Sequence, residues 1–483
     1  MKLSFIIFTL LQLIQMNAYG AIRYVTPAGA GAQNATSWAN AAPGGNLQSV
    51  INGAIAGDEI WVAAGTYYTT AGTNRNISFS LRNNITIYGS FAGTETTLSQ
   101  RNLLSGLTSI LSGEIGVAGN SDNSYHTISN ANLNNTAIID GFIIRDANDE
   151  RTATITDGLG GGIYNNGSNP GNICSPTIRN CLIMNNHATF GGGIFNSGYN
   201  GGTASPVILN CVITNNTANG GAGIDNFGLL NGNASPTITN CVICNNHASG
   251  RAGGMYCWGG NSGNTNPTVI NTSFVKNTAV DGGGVVCDRL NSGGGSSGNS
   301  NPNFRNCIFW GNTASGTGPQ FFILGGATFT ATYTDINLTG QTSPHIISGA
   351  GTGNINTDPM FTDINLGEGP DGIWMTYDDG LGIAINSLNI NAGDPAITTP
   401  VSDLSGYTRT GIFDIGAYEC RRYVFIGPGD QWTTDAHWDV GFVPPSMYIG
   451  TIIIDADCAK QALTLDIQSQ LIINSGKVLT VTE

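Results

Sequence analysis

The sequence predicts an all-β chain: a right-handed parallel β-helix (a solenoid) with an N-terminal cap helix and a small C-terminal β module. Three observations support this fold class. Charged residues make up only 10% of the 483 residues, against roughly 25% in typical globular proteins. Pro, Gly and Asn separate short β-branched runs throughout the chain. Similar segments also recur at a spacing of about 30 residues between residues 175 and 315.

The recurring segments contain apolar runs that are too short for helices and rich in β formers. They read SPTIRNCLIMNNHA, SPVILNCVITNNTA, SPTITNCVICNNHA, NPTVINTSFVKNTA and NPNFRNCIFWGNTA, with prolines at 176, 206, 236, 267 and 302. A unit of about three short strands cannot bury its own apolar face, so it must stack on its neighbours. A β-propeller is the alternative, but its blades need roughly 40 or more residues and antiparallel strands.

Two columns of asparagine run through these units. Asn tolerates the left-handed backbone of a sharp turn, and its amide can hydrogen-bond to the same amide in the next turn. We therefore expect both columns to be structural. The first column consists of Asn180, Asn210, Asn240, Asn271 and Asn306, and the second of Asn186, Asn216, Asn246, Asn277 and Asn312.

Further elements complete each turn and extend the solenoid upstream. Glycine-rich blocks such as GGGIYN at 160 and GAGIDN at 221 suit a tight corner that leads into another strand. Weaker turns are predicted from ITIYGSF at 85 and from IIDGFIIRDA at 138, where Asp140 and Asp146 fall at the two Asn positions.

The open end of such a stack exposes apolar strands and needs a cap. After Asn46, a candidate N-cap, apolar residues recur at helical spacing until Gly57, and the strand EIWVAAGTYY follows. These apolar residues are Leu47, Val50, Ile51, Ala54 and Ile55. We expect this amphipathic helix to cover the first turn.

The first 20 residues are typical of a secretory signal, with an apolar run over 3–14 and small residues before a cut ahead of Ala21. That run is too short to span a bilayer. We therefore expect a secreted or cell-surface protein without membrane insertion. The net charge of −14, with no basic stripe, excludes nucleic acid as a partner.

Cysteine positions favour packed thiols over disulfides. One repeat position is shared by Cys181, Cys211, Cys241 and Cys307, and another by Cys257 and Cys287. Each set predicts a column of small buried apolar side chains. An occasional bridge stays open as the alternative, because neighbouring turns lie about 4.8 Å apart.

FVKN at 274 and FWGN at 309, alternating with the GGGI blocks, resemble repeats of chlamydial polymorphic outer-membrane proteins and of exported bacterial pectin-lyase-like β-helix proteins. TSWANA followed by GDEIWVAAGTY is similar to the start of such proteins. Residues 356–419, from NTDPMFTD to DIGAYE, resemble the segment called the choice-of-anchor Q domain. The resemblance implies the fold but leaves function open, because this superfamily includes lyases, hydrolases, esterases and adhesins.

These patterns divide the chain into four parts. They are a signal peptide (1–20), the capped β-helix (21–355), the choice-of-anchor Q-like segment (356–420) and the C-terminal β module (421–483). In the last part, Trp432 and Trp438 are expected to be core anchors. The sequence stops in a predicted strand without an attachment motif, so either the protein is released or this is a truncated form.

Enzymatic function is the harder question. Polysaccharide lyases of this fold use an Arg or Lys base beside acidic residues, whereas the repeat arginines are scattered and expected to face solvent. They are Arg179, Arg251, Arg289 and Arg305. The GHG and RIK triplets of polygalacturonases are absent. We therefore favour a non-catalytic protein with a repetitive face for adhesion or glycan binding. A carbohydrate-active enzyme, either lyase or glycoside hydrolase, and a structural spacer are the alternatives.

The candidate ligand-binding residues are aromatic. Tyr164, Phe195 and Tyr256 occupy corresponding repeat positions, interrupted by Asp225 and Val286. Further rings in the nearby loops are Tyr199, Phe227 and Trp258. Aromatic faces stack on sugars or contact proteins, so the expected partner is a glycan or a cell-surface protein. The alternative is that some of these rings only cover the corner of the solenoid.

No cofactor is required by this hypothesis, but one loop suits calcium. GEGPDGIWMTYDDG, residues 367–380, places the carboxyl groups of Asp371, Asp378 and Asp379 in a glycine-rich loop. Calcium binds six to eight oxygen ligands and favours such loops. A solvated acidic turn is the alternative.

Overall fold

The structure is a computed structural model. It describes residues 20–152, 157–289, 298–341 and 351–420, and the short segments 422–425, 451–454, 458–461, 470–475 and 477–482. Four parallel sheets wind around a common axis, and neighbouring strands in each sheet come from successive turns of the chain. This arrangement is the predicted parallel β-helix, and its parallel pairing excludes the propeller.

The first two faces of the solenoid carry its longest sheets. In stacking order, the first face contains Ala42–Pro43, Ile22–Thr26, Glu59–Ala63, Thr86–Phe91, Ile138–Asp140, Thr177–Arg179, Val207–Leu209, Thr237–Thr239, Thr268–Ile270, Asn303–Arg305 and Thr330–Thr332. The second face contains Gly65–Tyr68, Ser109–Ser112, Phe142–Arg145, Leu182–Met184, Val212–Thr214, Val242–Cys244, Ser273–Val275, Ile308–Trp310 and Asp335–Ile336.

Two further faces close each turn. The third face contains Asn148–Asp149, His187–Ala188, Thr217–Gly220, His247–Arg251, Thr278–Ala279 and Thr313–Ala314. The fourth face contains Ile128–Ala131, Ile163–Asn166, Ile194–Ser197, Ile224–Phe227, Met255–Trp258, Val285–Asp288 and Phe321–Leu324. A minor sheet pairs Asn264–Thr265 with Asn299–Ser300.

The core runs along the solenoid axis. In one turn it receives Ile178 from the first face, Ile183 from the second and Ile194 from the fourth, all fully buried. The next turn stacks Ile208 on Ile178 and Ile213 on Ile183 in register. Each turn therefore covers the apolar surface of the turn before it, as expected for a repeat fold.

The second Asn column forms a buried ladder inside the solenoid. Asn186 Nδ2 donates to Asn216 Oδ1 at 3.1 Å, and Asn216 Nδ2 donates to Asn246 Oδ1 at 3.0 Å. The ladder continues from Asn246 through Asn277 to Asn312. The expectation that these residues also provide the left-handed turn is wrong, because that conformation lies one residue earlier. The left-handed residues are Asn185, Asn215, Asn245, Lys276 and Gly311.

The first Asn column does have the predicted left-handed backbone. In Asn180, Asn210, Asn240, Asn271 and Asn306, φ lies between 47° and 56°. Asn240 Nδ2 donates to Asn210 Oδ1 at 2.7 Å, and Asn210 Nδ2 donates to Asn180 Oδ1 at 3.2 Å. The ladder is interrupted after Asn240, whose Oδ1 accepts a hydrogen bond from Arg409 at 2.7 Å.

A third Asn ladder on the fourth face was not predicted. Asn130 Nδ2 donates to Asn165 Oδ1 at 3.0 Å, and the two following steps, through Asn196 to Asn226, are 2.9 Å each. The four side chains are at most 1% exposed. The final Asn of GGGIYN, GGGIFN and GAGIDN was the available signal. Because side chains alternate along a strand, that Asn points inward with the Ile two residues before it.

The upstream turns are present, but the two aspartates are shifted by one residue from the predicted positions. Asp140 pairs in register with Arg179, and Gly141, with φ of 83°, takes the left-handed position of Asn180. Asp146, with φ of 66°, is the turn residue rather than a member of the buried ladder. The turn residues at this corner thus tolerate Asp, as expected for left-handed backbone.

The predicted cap helix is present but shorter than expected. It spans Leu47–Gly53, with Leu47 and Ile51 buried. Asn46 is the N-cap residue, as predicted, although its side chain makes no capping hydrogen bond. The predicted extent to Gly57 is wrong, because the helix ends at Gly53 and Ile55 is 58% exposed. The chain leaves the helix early because Asp58 Oδ2 accepts a hydrogen bond from Ile55 N at 3.0 Å and holds a turn there.

The cysteine columns are packed thiols, as predicted. Cys181, Cys211 and Cys241 are free and fully buried. The Sγ of Cys181 lies 3.1 Å from Arg179 O, and the corresponding distance from Cys241 Sγ to Thr239 O is 3.2 Å. Burial raises the pKa of the Cys181 and Cys211 thiols well above its ordinary value. These thiols are therefore unreactive at neutral pH.

Residues 356–420, which we call the cover segment, lie against the outside of the second face. Outward side chains of that face, such as Val212 and Val242, pack against Trp374, Leu404 and Tyr418 of the cover segment. The outer surface of the second face around Val212 and Val242 is therefore buried rather than available to a partner.

The C-terminal part is described only at its strands, which pair in parallel. Arg422–Phe425, Thr451–Ile454 and Gln470–Ile473 form one sheet, and Cys458–Gln461 pairs with Leu479–Thr482. Trp432, Trp438 and nearly all of the predicted signal lie outside the described residues. Within the described part of the chain, no helix is long and apolar enough to cross a membrane.

A buried carboxyl group lies in the last turn of the second face. Asp335 is fully buried, and its Oδ1 accepts a hydrogen bond from Thr357 N at 3.1 Å. Burial raises the pKa of this carboxyl from 3.8 to about 7. The folded chain therefore holds a proton at Asp335 over a pH range in which the unfolded chain releases it.

We predict that the free energy of unfolding falls as the pH rises from 3.8 to about 7, because the folded chain retains the proton of Asp335 over this range. Asp335→Asn should flatten this dependence by about 3 kcal/mol between pH 5 and pH 8, because a tenfold change in proton affinity corresponds to about 1.4 kcal/mol. Urea denaturation at pH 5, 6.5 and 8 measures it. Asp363→Asn, at an exposed carboxyl, is the control. An unchanged slope in Asp335→Asn would contradict the assignment.

Candidate functional site

One outward column of the fourth face carries the predicted aromatic residues. The register aligns Tyr164, Phe195, Asp225, Tyr256 and Val286 in successive turns. The predicted correspondence is therefore confirmed. Tyr164, Phe195 and Tyr256 are 7%, 2% and 5% exposed. Most of their ring surface thus covers the sheet, as the alternative interpretation held, and of these three rings only Phe195 lines the cleft described next.

The other three predicted rings, Tyr199, Phe227 and Trp258, line a cleft of about 440 Å³ outside the fourth face. Tyr199 and Phe227 are stacked at 5.5 Å with an interplanar angle of 16°. Phe227 and Trp258 meet edge to face at 5.4 Å. All three are half-buried, so part of each ring remains accessible from the cleft. Further apolar lining comes from Leu159, Phe190, Leu229 and Leu230.

Asp225 also lines this cleft, between Phe195 of the preceding turn and Tyr256 of the following turn. Its side chain is 2% exposed, and its Oδ1 has no hydrogen-bond partner among the described residues. Desolvation raises the pKa of this carboxyl well above its ordinary value. Sequence reasoning treated Asp225 as an interruption of the aromatic column. The sequence could have indicated its importance, because it is an acidic residue at a position that is aromatic in both neighbouring turns.

The charged groups at one end of the cleft are already paired. Arg151 Nε lies 2.7 Å from Asp149 Oδ1, and Arg151 Nη1 lies 3.1 Å from Asp157 Oδ1. The hydrogen bond to Asp149 raises the pKa of the Arg151 guanidinium. Arg151 is therefore engaged by two carboxylates and unavailable to neutralise Asp225.

Three of the four repeat arginines are not free surface charges, so that expectation is wrong. Each lies near a carboxylate from another turn or from the cover segment. The partners are Asp140 for Arg179 at 2.5 Å, Asp288 for Arg251 at 3.9 Å, and Asp394 for Arg305. The fourth, Arg289, donates to Gly326 O at 3.2 Å. The pairs of Arg179 and Arg251 join neighbouring turns, and that of Arg305 joins the solenoid to the cover segment.

The proposed calcium ligands lie in one loop but face different surroundings. Asp379 is buried, and its Oδ2 accepts hydrogen bonds from Met375 N at 3.0 Å and Tyr418 Oη at 2.5 Å. Asp371 is exposed, and its Oδ1 accepts a hydrogen bond from Ile373 N. Among the described residues, no three His, Cys, Asp or Glu side chains are placed to hold one metal ion. Calcium binding at this loop stays a prediction, which calcium titration would test.

Comparisons with known proteins identify no family. No family model matches the sequence, and no curated protein matches it. Among solved structures, the chain is similar to the crystal structure of pectate lyase Pel9A, with 15% sequence identity and a TM-score of 0.41. The match covers 83% of this chain and 96% of that chain. This likeness is one of fold.

Proposed function

We propose that this protein is a secreted or cell-surface β-helix protein that binds a glycan in the aromatic cleft of the fourth face without altering it. The observation that supports this most strongly is the half-buried set of Tyr199, Phe227 and Trp258 around one cleft. Accessible aromatic faces bind the apolar faces of sugar rings, and a concave site with few polar groups is typical of a ligand pocket.

The charge of the cleft indicates the kind of glycan. Among the described residues of the cleft, the carboxyl of Asp225 has an oxygen without a hydrogen-bond partner, whereas the cation Arg151 is held by two aspartates. A uronate would find the cation Arg151 already engaged by two carboxylates, and the net charge of −14 of the protein would oppose its approach. We therefore expect pectin and alginate to bind poorly, and neutral or basic glycans to bind.

A glycoside hydrolase is the second candidate, and Asp225 is the observation that favours it. A buried carboxyl with a raised pKa is suited to act as a general acid. Glycoside hydrolysis usually needs a second carboxylate across the scissile bond, and Asp157, the other acid that lines the cleft, is paired with Arg151. Release of reducing ends from any bound glycan would replace the binding proposal with this one.

We predict that Trp258→Ala lowers glycan affinity about tenfold, since a lost aromatic contact of about 1.4 kcal/mol corresponds to that factor. A glycan array identifies the ligand, and calorimetry on the best hit gives the dissociation constant. Tyr68→Ala is the matched control, because Tyr68 is a 50% exposed ring on the second face. Equal affinity of wild type and Trp258→Ala, or no glycan bound by wild type, would contradict the proposal.

A further inference from the structure

Asp225 differs from the other acidic residues around the cleft. Asp149 and Asp157 contact Arg151, and Asp288 Oδ2 accepts a hydrogen bond from Tyr256 Oη at 2.8 Å. Asp225 Oδ1 is buried and has no partner in the described part of the chain. A buried polar group without a hydrogen bond is destabilising, and more so if it is charged. The fold thus retains an unfavourable carboxyl at the cleft.

The lining around Asp225 favours a cation as its partner. The faces of Tyr and Trp rings attract cations through their quadrupole, and Trp258, Tyr199 and Phe227 line the same cleft. An ammonium group that entered there would pair with the carboxylate and donate the hydrogen bonds that Asp225 lacks. A hydroxyl group could donate one hydrogen bond but would leave the charge of an ionised carboxylate unpaired.

We propose that the cleft selects glycans that carry a protonated amine, with Asp225 as the residue that binds the ammonium group. The inference rests on the proposed glycan-binding function, since the sugar rings are held by the aromatic side chains. It specifies the class of ligand within that function, which is amino sugars whose nitrogen is not acetylated. Asp225 is then a specificity-determining residue, and the rings supply affinity that does not depend on the amine.

Three oligosaccharides with the same β-1,4-linked glucose backbone test the proposal. They are tetramers of glucosamine, N-acetylglucosamine and glucose, which differ only at the C2 substituent. We expect the glucosamine tetramer to bind wild type at least tenfold tighter than the glucose tetramer at pH 5.5. Because desolvation raises the pKa of Asp225 and a bound ammonium group would lower it again, binding of the amine should also release protons. Calorimetry in buffers of different ionisation enthalpy measures that release.

Asp225→Asn should remove both the preference for the amine and the proton release. Asp363→Asn makes the same substitution at an exposed position of the cover segment and should keep the preference. It therefore controls for general attraction between an acidic protein and a cationic ligand. Equal binding of the three tetramers, or a preference that survives in Asp225→Asn, would overturn the inference but leave the glycan-binding function intact. Absence of binding by all three would overturn both.

Discussion

Replacing Asn216 with alanine should lower the free energy of unfolding by about 3 to 5 kcal/mol, because the change removes the middle of the buried ladder. Asn216 Oδ1 accepts hydrogen bonds from the backbone N and the Nδ2 of Asn186, both at 3.1 Å. Its Nδ2 donates to Ile183 O and to Asn246 Oδ1, both at 3.0 Å. All of these groups are buried, so water cannot replace the lost partners.

The neighbouring residue provides a matched control for this experiment. Asn215 is exposed and has left-handed backbone with φ of 55°. Glycine accepts that conformation at no steric cost, so Asn215→Gly should change stability by less than about 0.5 kcal/mol. Urea denaturation followed by far-ultraviolet circular dichroism compares the two variants. Similar midpoints for Asn216→Ala and Asn215→Gly would contradict a structural role for the ladder.

Replacing Arg409 with methionine should loosen the cover segment and cost about 3 to 5 kcal/mol, because the change leaves several buried hydrogen-bond acceptors without their donor. The Arg409 side chain is fully buried and pairs with Glu419. It also donates to Ala417 O at 3.0 Å and to Asn240 Oδ1 at 2.7 Å. Arg409 therefore joins the cover segment to the first Asn column of the solenoid.

The loss in Arg409→Met should increase with pH. Burial and the nearby Asp414 raise the pKa of Glu419 to about 8 even with Arg409 present. Without the arginine, the pKa of Glu419 rises further. The variant therefore continues to lose stability as the pH rises above 8, where the loss in wild type ends. Limited proteolysis of the cover segment at pH 6 and pH 9 measures the effect. Arg409→Lys, which keeps the charge, should show a smaller change. Equal resistance of wild type and Arg409→Met at pH 9 would refute this role.

The repeat period predicted the fold because it reports directly which residues stack on each other. The same period could not decide which of two adjacent asparagines turns the chain and which enters the ladder. Asn185 and Asn186 are chemically identical. Two other units distinguish the positions, because Lys276 precedes Asn277 and Gly311 precedes Asn312. The second position of each pair needs an amide, whereas the first needs only a residue that tolerates left-handed backbone.

The candidate site was predicted only in part, for a physical reason. The repeats identified the aromatic positions, but exposure of a ring depends on what the next turn and its loop place over it. Phe195 is almost covered, whereas Phe227 is half-buried. Contacts across large sequence separations were also invisible, such as that between Arg305 and Asp394. Asp225 was noticed but not interpreted, because the sequence does not show that Arg151, the cation of the same cleft, is engaged by two other carboxylates.

Side chains along the fourth face alternate between inward positions, which determine how the turns stack, and outward positions, which form the surface. Inward side chains, such as Asn196 and Asn226, form the hydrogen bonds that join one turn to the next. Outward positions, such as Phe195 and Asp225, contribute nothing to that ladder. A duplicated or exchanged unit would therefore preserve the scaffold while it introduces a new outward surface. The binding surface can then change in evolution without loss of the fold, and so can the number of turns.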